Sequence, residues 1–249
     1  MVNEPRSRVG AGAATAPALR EIVVVIPAHN ERDRLPACLA SVAAAAAQVD
    51  VPVTVTVVLD GCTDGTEATI TGPVQAISIS TRNVGAARAA GFVAAAPDAD
   101  AGIWLATTDA DTTVPATWLA KQVDHHRALT QGVVGTVTVD WQEHSPTTRL
   151  HYDRLYSVSD GLHGHVHGAN LGMRADAYWN VGGFRPLRVG EDVDLVDRLL
   201  AADTPLAWDA DNPVLTSDRR DCRAQGGFGD YVQSIADDSV FAPGSADIA

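Results

Sequence analysis

A chain of 249 residues, 46% hydrophobic, is long enough for one large domain with a substantial core. Its 18 basic against 31 acidic residues give a formal charge of −13, which repels phosphate backbones and anionic lipid headgroups. That balance argues against nucleic-acid binding and a basic membrane patch, so an anionic ligand would need a local metal or arginine cluster.

In chain order, residues 1–20 contain no uninterrupted apolar stretch and predict a disordered tail. "EIVVVIP", closed by Pro27, reads as a buried strand. "NERDRLPACLASVAAAAAQ" carries Leu35, Leu39 and Val42 at helical spacing, and "VPVTVTVVLD" is a second strand ending at Asp60. "GCTDGTEATI" predicts a turn into a helix capped by Thr63 or Asp64. "VQAISIS" is a third strand, "NVGAARAAGFVAAA" a helix of small residues, and "AGIWLATTDAD" a fourth strand ending at Asp109 and Asp111.

This alternation predicts an α/β fold, a doubly wound, mostly parallel sheet with helices on both faces. Beyond Asp111 the pattern gives a helix ("WLAKQVDHHRAL"), a strand ("GVVGTVTVDW") and a helix near Thr148 to Ser159. A glycine- and histidine-rich loop follows ("DGLHGHVHGANLGM"), then short and amphipathic helices at Ala175 to Val181 and "GEDVDLVDRLLAA", and a strand-like "LAWDADNPVLTS". Residues 236–249 read as a flexible tail. Cys38, Cys62 and Cys222 form no CxxC pair, which suits free thiols in a reducing, cytoplasmic compartment. No apolar run is long enough for a transmembrane segment.

Ligands of such sheets bind beyond the carboxyl ends of the strands, where Pro27 to Glu31, Asp60, Asp109 and Asp111 all fall. Two aspartates one residue apart raise each other's pKa, and burial adds a desolvation cost. A divalent cation, a hydrogen-bonding ribose or water at a solvated turn would each make the pair tolerable. Asp60 is favoured for function over a turn role, and Asp64 reads as helix-capping. Glu191 and Asp192 are either a helix start enriched in acids or a general base on the rim. His163, His165 and His167 lack zinc-like partners and suit polar substrate contacts, while Trp104, Trp118 and Trp208 belong to the core. Arg219, Arg220 and Arg223 are either a solvated patch paired with Asp218 and Asp221 or a clamp on phosphate oxygens.

Together these segments resemble the family 2 glycosyltransferases of GT-A fold, over roughly Ile22 to Arg198. "VVVIPAHNERDRLPACLASV" is similar to the opening strand and P-x-x-N-E loop, and "VVLDGCTDGT" to D-D-G-S-T-D-G-T, with Leu59 in place of the first aspartate. "NVGAARAAGF" resembles the next segment and "TTDADT" the D-x-D. "GANLGMRADAYWNVGGFRP" resembles the acceptor-side stretch and "GEDVDLVDRL" the E-D motif.

The resemblance implies a nonprocessive, inverting transfer from a nucleotide-sugar donor, with residues 21–115 as the donor half and 116–235 as the acceptor half. The nucleobase would lie near Pro27, Ala28, His29, Glu31 and Asp60, with Arg88 close to the donor. Asp111 would hold Mg²⁺ or Mn²⁺ on the diphosphate, and Asp109 would face the ribose or the metal. Asp192 would be the base, with Glu191 as the alternative, and His167, Gly168 and Asn170 would meet the acceptor. That acceptor is open: a small metabolite, a sugar or a lipid-linked carrier. Neither the histidine many relatives place past the E-D motif nor the Q-x-x-R-W of processive synthases occurs. A nucleotidyltransferase lacks its glycine-rich opening loop here, and a binding module without catalysis is disfavoured by the intact Asp111 and Asp192.

Overall fold

The computed structural model describes residues 15–156, 158, 163–187, 189–221 and 228–241. Eight strands form one sheet: β1 (Glu21–Ala28), β2 (Val53–Asp60), β3 (Val74–Ile79), β4 (Ile103–Thr107), β5 (Thr112–Thr113), β6 (Gly132–Asp140), β7 (Leu171–Arg174) and β8 (Leu206–Ser217), in the order β3-β2-β1-β4-β7-β6-β8-β5. Strands β3, β2, β1 and β4 run parallel, as do β6 and β8, while β7 is antiparallel to both neighbours.

Helices cover both faces. On one side α1 (Leu35–Ala46) and α3 (Trp118–Arg127) bury Leu35, Val42, Trp118 and Leu119 against Val24, Ile26, Val57 and Trp104. On the other, α2 (Val84–Ala95), α5 (Ala175–Asn180) and α6 (Glu191–Ala201) pack Phe92, Tyr178 and Leu195 onto Val23, Val25, Val58 and Leu105. Helix α2 lies so close to the sheet that a Cβ on Gly91 would meet Val25 Cγ1 at 2.5 Å. A third cluster joins α4 (Pro146–Leu155) and α7 (Phe228–Phe241) over Val139. Among the described residues no helix is long and apolar enough to cross a membrane.

Five local expectations are corrected. The chain after Asp60 forms only a 3₁₀ turn, Thr66–Thr69, entered through Gly65 at φ 90°. Asp64 accepts from the amides of Arg32 and Thr66, tying the turn to the β1 loop, and Gly72 and Pro73 stop it from lengthening. Pro27 does not end β1, because the ladder to β2 continues through Ala28. Leu171–Arg174, expected as part of the glycine- and histidine-rich loop, is a central strand, with Leu171 and Met173 buried. The expected N-terminal tail reaches the body at its end: the Pro17 carbonyl accepts from His126 Nε2, and Arg20 pairs with Asp100. Helix α7 runs to Phe241, past the expected start of the C-terminal tail at 236.

Candidate active site

The carboxyl ends of β1, β2 and β4 meet on one rim, together with the start of α6 and the end of β8. The loop after β1 is laced to the loop after β2. His29 Nδ1 donates to the Asp60 carbonyl at 2.6 Å, Asn30 Oδ1 accepts from Thr63 N at 2.8 Å, and Thr66 Oγ1 accepts from Glu31 N at 2.9 Å. Asn30 sits at φ 57°, a conformation asparagine tolerates, which turns the chain back at the strand end. A cavity of about 320 Å³ opens beside this loop, lined by Asn30, Glu31, Arg32, Asp33, Arg34 and Asp64.

Asp60 is not free to read a base. Its carboxylate accepts from the amides of Thr81, Arg82 and Asn83 and from Thr81 Oγ1, at 2.6 to 2.9 Å. Four donors match the four lone-pair positions of a carboxylate, leaving none for a ligand. Those bonds outweigh burial and hold its carboxyl below the usual range. Asp60 therefore shapes the turn that leads into α2, where Asn83 caps the helix by accepting from Ala86 N.

Two arginines organise the acidic centre. Arg88, 2% exposed on α2, is paired with Glu191 and, at 2.5 Å, with Asp109. A Cβ on Gly168 would come within 2.4 Å of its guanidinium, and Phe184 lies 5.6 Å from it, so only a glycine leaves room for this arginine. Walled in this way, Arg88 has no open path to a donor; it positions Asp109 and Glu191 instead. Burial pushes both carboxyls up against the pull of Arg88.

The second arginine, Arg219, lies two residues past the end of β8. It contacts Glu31 Oε1 at 2.5 Å and Asp111 Oδ2 at 3.2 Å. Ser217 donates to the same Asp111 oxygen at 2.7 Å. Arg220 contributes its amide to Glu143 instead, at 3.0 Å, and Arg223 lies outside the described residues. Asp218 accepts three amides, from Gln142, Glu143 and His144, and so anchors the segment in place.

Glu191 and Asp192 open α6 but differ in environment. Glu191 is buried on Arg88, whereas Asp192 is half-buried. Backbone amides fix the Asp192 carboxylate, with Gly168 N on Oδ2 and Val193 N on Oδ1, both at 2.8 Å. It is near enough to Asp109 to raise that group's pKa. Each oxygen keeps a lone pair, so Asp192 can still accept a proton. His167 lies beside it. The Tyr156 hydroxyl accepts from the Val137 amide and is hydrogen-bonded to His167 Nε2 at 3.0 Å. Burial drives the imidazole down to about 4, so it is neutral at pH 7. His165 stacks on Tyr156 at 3.9 Å, and His163 bonds to backbone carbonyls.

Asn170 is not an acceptor contact. It is 1% exposed, donating to the carbonyls of Thr136 and Asn212 and accepting from Trp118 Nε1, so its polar atoms are consumed in the core. Trp104 and Trp118 are fully buried. Neither Arg219–Glu31 nor Gly168–Asp192 was read from the sequence.

Glu31, Asp109, Asp111, Glu191 and Asp192 thus share two guanidiniums, Arg88 and Arg219. No cluster of three or more His, Cys, Asp or Glu side chains is arranged to hold a metal among the described residues. Two strand-end carboxylates with an open side still fit Mg²⁺ or Mn²⁺, because such ions are commonly bound by one or two carboxylates plus substrate phosphates.

The sequence model described as "Glycosyl transferase family 2" matches residues 23–182. No curated protein matches the chain. Among solved structures, the mannosyltransferase PcManGT of Pyrobaculum calidifontis, in complex with GDP-Man and Mn²⁺, superposes with a TM-score of 0.63 at 19% identity, covering 84% of this chain and 61% of that one. TarS of S. aureus superposes at 0.57 with 13% identity, covering 79% and 36%. Its fragment 1–349 with UDP-GlcNAc superposes at 0.61 with 14% identity, covering 92% and 68%. The chain therefore spans between about a third and two thirds of these neighbours' lengths.

Proposed function

The chain belongs to glycosyl transferase family 2, a family of glycosyltransferases, and we propose that it moves one sugar at a time from a nucleotide-sugar donor to an acceptor hydroxyl with inversion. The observation that carries this reading is the division of labour within the acidic centre. Glu191 is locked onto Arg88, while Asp192 is held by amides with lone pairs to spare. Asp192 takes the proton of the acceptor hydroxyl, the acceptor oxygen bonds to the anomeric carbon, and the bond to the nucleoside diphosphate breaks. His167, neutral and next to Asp192, contacts the acceptor.

The donor lies along the β1 loop, His29 to Glu31, with its diphosphate toward Asp111, Asp109 and Arg219. Asp111 and Asp109 would hold Mg²⁺ or Mn²⁺, which when bound neutralises charge on the leaving diphosphate. Neighbours of the same fold are known in complex with GDP-Man and Mn²⁺ and with UDP-GlcNAc, which supports a nucleotide-sugar donor and a divalent cation. The free thiols of Cys38 and Cys62 support a reducing, cytoplasmic setting.

Calorimetry of UDP and GDP binding, with and without Mn²⁺, tests the reading on the wild type and on Asp111→Ala. At least one nucleotide should bind the wild type more tightly with Mn²⁺, and the variant should lose that gain and about 10²-fold or more in transfer rate. Unchanged Mn²⁺-responsive binding in the variant would remove Asp111 from the site.

A further inference from the structure

The two arginines differ in a way the proposed chemistry does not require. Arg88 is enclosed by Gly168 and Phe184 and is 2% exposed, whereas Arg219 lies two residues past the end of β8 and its side chain is 13% exposed. Arg219 lies against Asp111 Oδ2, on the carboxylate that the donor reading gives to the cation. Asp111 Oδ1 accepts no hydrogen bond among the described residues, so the carboxylate keeps an open edge. A guanidinium and a divalent cation on one carboxylate, with Glu31 and Asp109 beside them, compete for the same negative charge. Phosphate oxygens offer a planar guanidinium an alternative partner through two parallel hydrogen bonds.

Resting on that metal and donor reading, we propose that Arg219 is an exchangeable counter-cation. In the donor-free enzyme it neutralises Asp111 and Glu31. When the cation arrives with the nucleoside diphosphate, Asp111 passes to the cation and the guanidinium turns onto the diphosphate oxygens. Arg219 thereby lowers the enzyme's affinity for bare metal and raises its affinity for the metal–nucleotide pair, so the site fills with both together.

The test is Mn²⁺ binding, followed by the paramagnetic resonance signal of free Mn²⁺, on the full chain with and without UDP or GDP. Arg219→Gln should bind Mn²⁺ alone about five- to tenfold more tightly than wild type, the scale of a partly buried ion pair. With nucleotide present it should bind the nucleotide about tenfold more weakly. Arg219→Lys keeps a competing cation, so its affinity for bare Mn²⁺ should stay within about twofold of wild type. Equal or weaker bare-Mn²⁺ binding by the glutamine variant would overturn the exchange, as would equal strengthening in the lysine variant. If the wild type shows no Mn²⁺ gain in nucleotide binding, the metal reading itself falls and the exchange falls with it.

Discussion

Arg88 and Arg219 both neutralise carboxylates at the same rim, but the fold treats them as different kinds of part. Arg88 enters from the middle of α2, and its two acidic partners come from the end of β4 and the start of α6. Three elements are pinned by one side chain, with a glycine omitted-side-chain gap cut to fit it. Arg219 enters from the end of an edge-side strand and spans two partners, Glu31 and Asp111, on the donor rim. Enclosure makes the first pair a fixed framework, whereas the second guanidinium is the more exposed of the two, 13% against 2%. On the function proposed here, the contrast makes one acidic site rigid where the base is aimed and adjustable where charge arrives and leaves.

The sharpest way to break that contrast is at Asp192, on the rigid side. Asp192→Asn removes the proton acceptor and keeps a carbonyl oxygen for one of the two amides, Gly168 N or Val193 N, which bond to different carboxylate oxygens. Transfer should fall by roughly 10²–10⁴-fold with nucleotide affinity unchanged. Steady-state kinetics beside calorimetry would show it, and near-normal turnover would move the base elsewhere.

Stability comes next. Removing one member of a buried pair leaves uncompensated charge, so Arg88→Met should cost about 3–5 kcal/mol in urea unfolding. Arg219→Gln should cost less, about 1–3 kcal/mol, because the glutamine amide can still donate to Glu31 or Asp111 in place of the guanidinium. Similar losses for the two would mean that Arg219 is as structural as Arg88.

The first half of the sheet was legible because each strand is a short apolar run followed by a polar turn and a helix of small residues. Strand β7 was not, since its four residues carry too little pattern and gain their place from neighbours on both sides. The acidic positions of the site were visible as strand-end and helix-start carboxylates, but their roles were not. Asp60 and Asp111 look alike in sequence; only the turn at 81–83 shows that one is saturated and the other open. Arg88 and Glu191 are 103 residues apart, and no local spacing joins them. Asn170 likewise owes its burial to Trp118, Thr136 and Asn212 from three other segments.

The smallest effect concerns the acceptor side of the rigid framework, where His167 is kept neutral with a pKa pushed down to about 4 from 6.5. As pH falls below 6.5, the unfolded chain takes up this proton while the folded one does not, so stability falls between pH 6.5 and 4 and levels off below. His163, lowered by burial as well, acts in the same direction. Asp109 and Glu191 act oppositely: their raised carboxyls protonate first in the folded state and add stability as pH drops toward the ordinary carboxylate range. The net slope mixes these signs, so the comparison needs a variant. His167→Gln preserves a partner for the Tyr156 hydroxyl and removes only the titration. Discounted for partial exposure, the His167 contribution is on the order of 1 kcal/mol, or roughly 2–4 °C in Tm for a chain of this size. Between pH 7.5 and pH 5 the change in Tm should therefore be less favourable in the wild type than in the variant by about that amount. An identical pH dependence in both proteins would mean that His167 takes up its proton in the folded state as readily as in the unfolded chain, and that it is not held neutral beside Asp192.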